Sequence, residues 1–187
     1  MLRYIEEAGK YVELTGFRNI GIKNPEEFIK AVRVATPQKA SVQFLNAQLV
    51  ATWQHLYFAV LNALLAFKNQ RNISKSVTME VMLYASAQRQ IRKAIQLIGI
   101  KRASANVAIV IVGANLDCVK AVLSTVSKCV GAEPDETVLE LTQEKSKSIR
   151  KAFGIRAEEL EAVNEKNAKQ ALVNLVIERT ALLSTQL

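Results

Sequence analysis

The run Asn106-Val107-Ala108-Ile109-Val110-Ile111-Val112-Gly113 constrains this chain more than any other feature. Its interior is continuously apolar and mostly β-branched, without the alternation of a strand wetted on one side. Such a run predicts a strand buried on both faces. Two other segments do alternate, Tyr11-Val12-Glu13-Leu14-Thr15 and Ser41-Val42-Gln43-Phe44-Leu45, and predict half-buried strands. The expected sheet is small, mixed or antiparallel.

Helical signals fill most of the remainder. Asn24-Pro25-Glu26-Glu27 reads as a helix start, with Asn24 as cap, Pro25 in the first turn and Glu27 completing a capping-box-like arrangement. That helix is expected to end before Thr36-Pro37. From Thr52 onward, Leu56, Val60, Ala63, Leu64 and Phe67 recur at helical spacing. Lys68 to Ser76 reads as a polar, basic loop, and Val77 to Gly99 as helical in period. Further helices are predicted from about Leu116 to Val130, Asp135 to Leu141, Gln143 to Phe153 and Ala157 to about Leu183, with Gly131 and Gly154 as stops. No repeat, low-complexity tract or linker interrupts them. The 187 residues are therefore expected to form a single α/β (α+β) domain, residues 1–187, helix-rich in its C-terminal third.

Charge is concentrated rather than general. From Lys68 to Arg102 the cations are Lys68, Arg71, Lys75, Arg89, Arg92, Lys93, Lys101 and Arg102, against Glu80 alone, so this stretch carries +7 of the formal +8. From Glu133 onward, ten acids and eight bases nearly cancel. A local cationic patch with flat, multi-donor side chains suits a phosphate-bearing polymer. Membranes are not expected as partners: Tyr57 to Phe67 is interrupted by Asn62 and falls short of the roughly 20 residues a bilayer needs. The N-terminus carries acids where a signal peptide would be apolar. Cys118 and Cys129 share one predicted helix about 16 Å apart, too far to pair, and read as small buried hydrophobes in a reducing, cytoplasmic compartment.

Catalytic chemistry finds little support. The single histidine, His55, lies among apolar helical neighbours and reads as a packing residue. No Cys/His spacing suits zinc, and the glycines are scattered singly, so no metal, no phosphate loop and no cofactor is expected. Polar residues in apolar settings are more informative. Extending the stripe Val81, Tyr84, Ala85 places Gln88 on a buried side, where an unpaired amide costs about 1–3 kcal/mol. Either the helix breaks near Ser86-Ala87 or Gln88 supports a site. Both outcomes put free backbone N–H groups beside Arg89, which favours phosphate. Arg89, Arg92, Lys93 and Gln96 would line one helix face, opposite Ile91, Ala94, Ile95 and Ile98. Asn46 closes the second alternating strand and either caps a turn or joins a site. Trp53 and Tyr57, one turn apart, either stack bases or pack into the core.

Taken in order, Leu45-Asn46-Ala47, Val50-Ala51-Thr52, His55, Met79-Glu80 and Ala85-Ser86-Ala87-Gln88-Arg89-Gln90-Ile91 with Ala94-Ile95 and Ile98-Gly99 resemble the PRPK-binding-protein family, the small accessory subunit of the KEOPS (EKC) complex, in its archaeal form. The likeness extends over about Val42 to Leu183, through Val138-Leu139 and Glu178-Arg179-Thr180-Ala181-Leu182-Leu183. It implies an α/β fold and a non-catalytic role in tRNA threonylcarbamoyladenosine synthesis. The implied partners are the kinase-like ATPase subunit and tRNA, held by its 3′ CCA end, with other KEOPS subunits engaged only indirectly. Carried across, Asn46, Gln88, Arg89 and Gln90 are the implied RNA contacts, with Lys68, Arg71, Lys93 and Lys101 as phosphate neighbours. The family usually has glycine where this chain has Ala87. Alanine there predicts either ordinary helix or a close approach that tolerates a methyl.

Overall fold

The computed structural model describes residues 1–36, 40–102, 104–163 and 167–185. A four-stranded antiparallel sheet with order β1-β2-β4-β3 is built from β1 (Leu2–Ile5), β2 (Lys10–Phe17), β3 (Ala40–Asn46) and β4 (Val107–Gly113). β4 is interior and buried at every residue, as its sequence requires. Its odd residues Val107, Ile109 and Ile111 pack with α1 (Pro25–Ala35) and α5 (Leu116–Val130). Its even residues Ala108, Val110 and Val112 pack with α2 (Trp53–Lys68) and α3 (Val77–Ser86). The sheet is thus covered on both sides by helices, and the antiparallel alternative expected from sequence is the one realised.

Several local readings differ from the structure. β2 is buried on both faces from Val12 onward, because it too is interior, between β1 and β4. β1 gave no sequence signal; three of its four residues are exposed. The stretch Asp135 to Leu141 holds only a short 3-10 turn, Glu136–Leu139. In place of one helix from Ala157, there are α7 (Ala157–Ala162) and α8 (Ala168–Leu182), and the residues 164–166 between them lie outside those described. The first helix ends at Ala35 as expected, with Thr36 as cap; Pro37 lies outside the described residues. Cys129 is exposed and Cys118 half-buried, so neither is a core hydrophobe. Among the described residues, no helix is long and apolar enough to cross a membrane.

The segment Val77 to Gly99 is divided, and of the two alternatives at Ser86-Ala87 the helix break is the one realised. α3 stops at Ser86 and α4 (Ile91–Ile98) begins after four residues. Ala87 takes the left-handed conformation, φ 50°, ψ 38°. Its N–H donates to the Tyr84 carbonyl (3.0 Å) and the Gln88 N–H to the Leu83 carbonyl (3.0 Å), the pairing of a Schellman stop. So Ala87 is neither ordinary helix nor merely a tolerated methyl: it holds the positive φ that glycine would hold without strain. The next free carbonyl, Ala85, is bound by His55 Nε2 at 2.9 Å, while the Ala51 N–H donates to His55 Nδ1 at 3.2 Å. His55 therefore joins the start of α2 to the end of α3, with both ring nitrogens occupied. Its ring also meets Phe153 edge-on, at 5.7 Å between centroids.

α6 (Gln143–Phe153) is seated on the same corner. The Lys145 ammonium, nearly buried, donates to the carbonyls of Val138 (3.0 Å) and Glu140 (2.9 Å), and burial pulls its pKa down to about 8. Ile149 and Phe153 of α6 form an apolar cluster with Ala51 and α8, against which Ala87 packs.

Replacing Ala87 by Gly relieves the left-handed strain at the cost of unfolded-state entropy, for an expected net gain of about 0.5–1 kcal/mol in denaturant titration. A loss would show that the Ala87 methyl contributes more by packing than it costs by strain. A second expectation concerns pH. Burial pulls the His55 pKa from 6.5 to about 4, with the Ala85 carbonyl opposing and Lys145 assisting. As pH falls below about 6.5 the unfolded chain gains a proton that the folded chain refuses until about 4. The His55 contribution to stability should therefore drop by about 3 kcal/mol across that window and be constant above it. His55→Phe, less stable at neutral pH, should lose this part of the dependence; an unchanged pH profile in the variant would assign the effect to other groups.

Candidate nucleic-acid interface

The four residues between α3 and α4 form a polar corner. Gln88 is half-buried rather than buried, and Arg89 and Gln90 are exposed. The break thus resolves the polar anomaly by turning the amide out of the core. Gln90 occupies the cap position of α4 in extended conformation without a capping side-chain bond, so the first N–H groups of this eight-residue helix are left open. Arg89 Nη1 reaches the Leu183 carbonyl at 3.5 Å, tying the corner to the end of α8. Arg92 and Lys93 are exposed in the first turn. Beneath them, burial and then Glu80 raise the pKa of the Tyr84 hydroxyl above the ordinary tyrosine range, with Arg89 opposing.

α4 does not present the core face read from its period. Ala94 and Ile98 are buried, but Ile91 and Ile95 are 43% and 46% exposed. The break resets the helix phase, so residues that continued the α3 stripe on paper point outward.

Asn46 is at the other end of α4. It closes β3, and its Oδ1 accepts from the Gln48 N–H at 3.1 Å, so it caps the 3-10 turn Ala47–Leu49. Asn46, Gln48, Lys101, Ser104 and Asn106 line a pocket of about 220 Å³. The Lys101 N–H donates to Ser104 Oγ at 2.9 Å, which fixes the loop carrying this lysine. Following the chain from Gln90 to Lys101 means traversing α4, about 12 Å of helix. Structure therefore gathers Gln88, Arg89, Gln90 and Lys93 at one place, and Asn46 and Lys101 at a second.

Lys68 and Arg71 occupy a third. The α2–α3 hairpin brings the start of α2 to the end of α3 through His55, so the far end of α2 is distant from the corner. Lys68 stands 13 residues beyond His55, about 20 Å along the axis. Its ammonium donates to the Glu7 carbonyl at 2.8 Å. Arg71 is exposed in a loop clamped by the buried Glu80 carboxylate, which accepts from the N–H groups of Ile73 and Ser74. The single patch expected from segmental charge is split in space. Trp53 and Tyr57 are likewise engaged: both pack against the core, edge-on to each other, and the Arg3 guanidinium lies 5.1 Å from the Trp53 ring centre.

The sequence reading passed over Gln48 and a cationic group on α6. Gln48 Nε2 donates to Ser148 Oγ at 3.4 Å. Either side of Ser148, Lys147, Arg150 and Lys151 are spaced i, i+3, i+4, and with Arg156 they line a shallow cleft of about 410 Å³. The spacing was visible in Lys147-Ser148-Ile149-Arg150-Lys151 only on a helical wheel, since acids elsewhere cancel the segment's net charge. No group of three or more His, Cys, Asp or Glu residues suited to a metal occurs among the described residues.

The model of the family described as "Kinase binding protein CGI-121" matches residues 17–184. The "Regulatory protein Cgi121" of Methanocaldococcus jannaschii is 37% identical over 114 residues, which cover 61% of this chain and 70% of that relative. Both agree with the likeness carried by the Ala85–Ile91 block, which forms the corner between α3 and α4. The chain therefore belongs to the CGI-121 family of kinase-binding proteins.

Proposed function

We propose that this protein is a non-catalytic, cytoplasmic accessory subunit of the KEOPS machinery for tRNA threonylcarbamoyladenosine, holding the kinase-like ATPase subunit and capturing tRNA by its single-stranded 3′ CCA end. The family description and the name of the archaeal relative support the kinase-binding, regulatory half. The observation that carries the RNA half is the α3–α4 corner. There a strained break brings two amides, one guanidinium and an uncapped helix start to the surface together. Arg89, Lys93 and the α4 N–H groups suit phosphate oxygens, while Gln88, Gln90 and Asn46 suit the exposed base edges of a single strand. Lys101 adds charge at the Asn46 pocket. Lys68 and Arg71 would be met only by RNA running about 20 Å further along α2. Holding tRNA far from its anticodon raises the effective concentration of substrate at the modifying subunits.

Binding to intact tRNA and to the same tRNA trimmed of its CCA end, at two salt concentrations, tests this reading. Selective loss on trimming is expected. Arg89→Glu should weaken binding several-fold with an unchanged melting temperature; unaltered affinity in that folded variant removes Arg89 from the interface. Asn46→Ala is ambiguous because it also removes a cap of about 1 kcal/mol. Asn46→Asp keeps the cap, so a loss of tRNA affinity there reports the amide itself.

A second reading, a kinase-binding adaptor that never touches RNA, is favoured by a different observation. β3 is an edge strand, and the pairing of Ala47 with Asn106 directs the backbone groups of Val42 and Phe44 to its free side. The Phe44 carbonyl is occupied by the Gln43 amide at 2.8 Å. Over this edge runs an apolar groove of about 530 Å³ between α1 and α3–α4, walled by Val34, Met79, Met82 and Ile95, with Lys30 and Arg33 on its rim. Val34 is 81% exposed. If the kinase-like subunit docks there, Ile95→Asp or Val34→Asp should weaken that complex at least tenfold, with little salt dependence and no effect on tRNA. Unaltered kinase affinity would exclude the groove.

A further inference from the structure

We infer that the α6 cleft is a second RNA site, taking the phosphates of the duplex from which a captured 3′ tail emerges; the inference rests on the tRNA-binding reading above. Lys147, Arg150, Lys151 and Arg156 converge on one shallow cleft of about 410 Å³ together with Gly154 and Ile155, and no acid lines it. Among the described residues, Lys147, Arg150 and Lys151 form no ion pair. Arg156 only approaches Glu159, at 3.8 Å and with 77% of its side chain exposed.

Stability of the helix does not account for this grouping. Arg150 and Lys151 in the last turn do complement the α6 dipole. Lys147 lies a turn further back and faces Lys151 at i, i+4, a like-charge pair that disfavours the helix. Arg156 follows the Gly154 stop and belongs to no part of α6. Three cations without an ion pair and a fourth held only loosely by Glu159, around a concave surface, are what a polyanion would neutralise.

Position selects the polyanion. Ser148, between Lys147 and Lys151, is bonded to Gln48 of the turn that Asn46 caps. Through the neighbouring Ile149 and through Phe153, α6 also packs into the cluster that receives Ala87, next to Gln88. α6 thus touches both the turn that Asn46 caps and the cluster beside Gln88, while its cations face outward from that packing. A tail held at Asn46 and Gln88 continues directly into a base-paired stem. A backbone recognised by charge and shape, without base reading, is what a cleft of lysine and arginine suits.

The test uses the full chain with three probes: intact tRNA, tRNA trimmed of its CCA end, and a short single-stranded oligonucleotide ending in CCA. Lys147→Glu/Lys151→Glu should weaken intact tRNA at least tenfold and reduce the slope of log affinity against log salt by about 2. It should leave the short oligonucleotide within about twofold. Lys120→Glu/Lys128→Glu, the same charge change on α5 across the sheet, controls for net charge and should cost much less. Lys147→Gln/Lys151→Gln, a milder change, preserves the comparison if the Glu variant melts early. Unaltered tRNA affinity and salt slope in a folded variant overturn the inference and leave the tail reading standing. Equal losses on tRNA and oligonucleotide overturn it too, by placing the tail itself on α6. If the wild-type chain binds none of the probes, the tRNA reading fails first and this inference falls with it.

Discussion

Everything in this fold hangs on the double burial of β4. Val107, Ile109 and Ile111 serve one helical layer, and Ala108, Val110 and Val112 serve the other, so neither layer can shift without exposing the far face of the same strand. Each large apolar side chain kept from water there is worth about 1.5–3 kcal/mol. The α2–α3 hairpin is pinned against the even face, and His55 then fixes where α3 ends relative to where α2 begins. The polar corner is therefore placed from the core outward.

The corner itself is a conflict settled locally. Continuing α3 would carry Gln88 into an apolar layer; stopping it at Ala87 forces an alanine into a left-handed conformation that costs about 1–2 kcal/mol. The stop is held because three of the terminal carbonyls find donors: Leu83 from Gln88, Tyr84 from Ala87 and Ala85 from His55. Strain that the surrounding structure over-determines in this way is found where a chain must present a group it would otherwise bury.

How much of this was legible depends on how far each signal reaches. β4, the two alternating strands, the Asn24 cap and the Gly131 and Gly154 stops are local chemistry, and each forms as the residues dictate. Periodicity misled between Val77 and Gly99 because hydrophobic phase continues on paper across a break that costs four residues, which turned Ile91 and Ile95 outward. The alternating Tyr11–Thr15 run concealed an interior strand because Glu13 and Thr15, polar by type, are buried all the same. Charge was the least transferable signal. Summed along the chain, it joined Lys68 to Arg89, which the hairpin holds apart, and it averaged away Lys147 and Lys151, which α6 holds together.

Such a surface would draw selectivity and strength from different groups. A hydrogen bond from an exposed amide to a base exchanges one partner for another and nets about 0.5–1.5 kcal/mol, so Gln88, Gln90 and Asn46 would discriminate between tails rather than supply strength. Strength from neutralised phosphates falls with salt and carries no sequence information. A protein with only the corner would be selective and weak; one with only a cationic face would hold any RNA. With α6 packed against both the Gln48 turn and the Ala87 corner, one tRNA would engage the two, tail and stem, in one orientation. The second contact would then form at the effective concentration set by the first, gaining affinity without loss of selectivity.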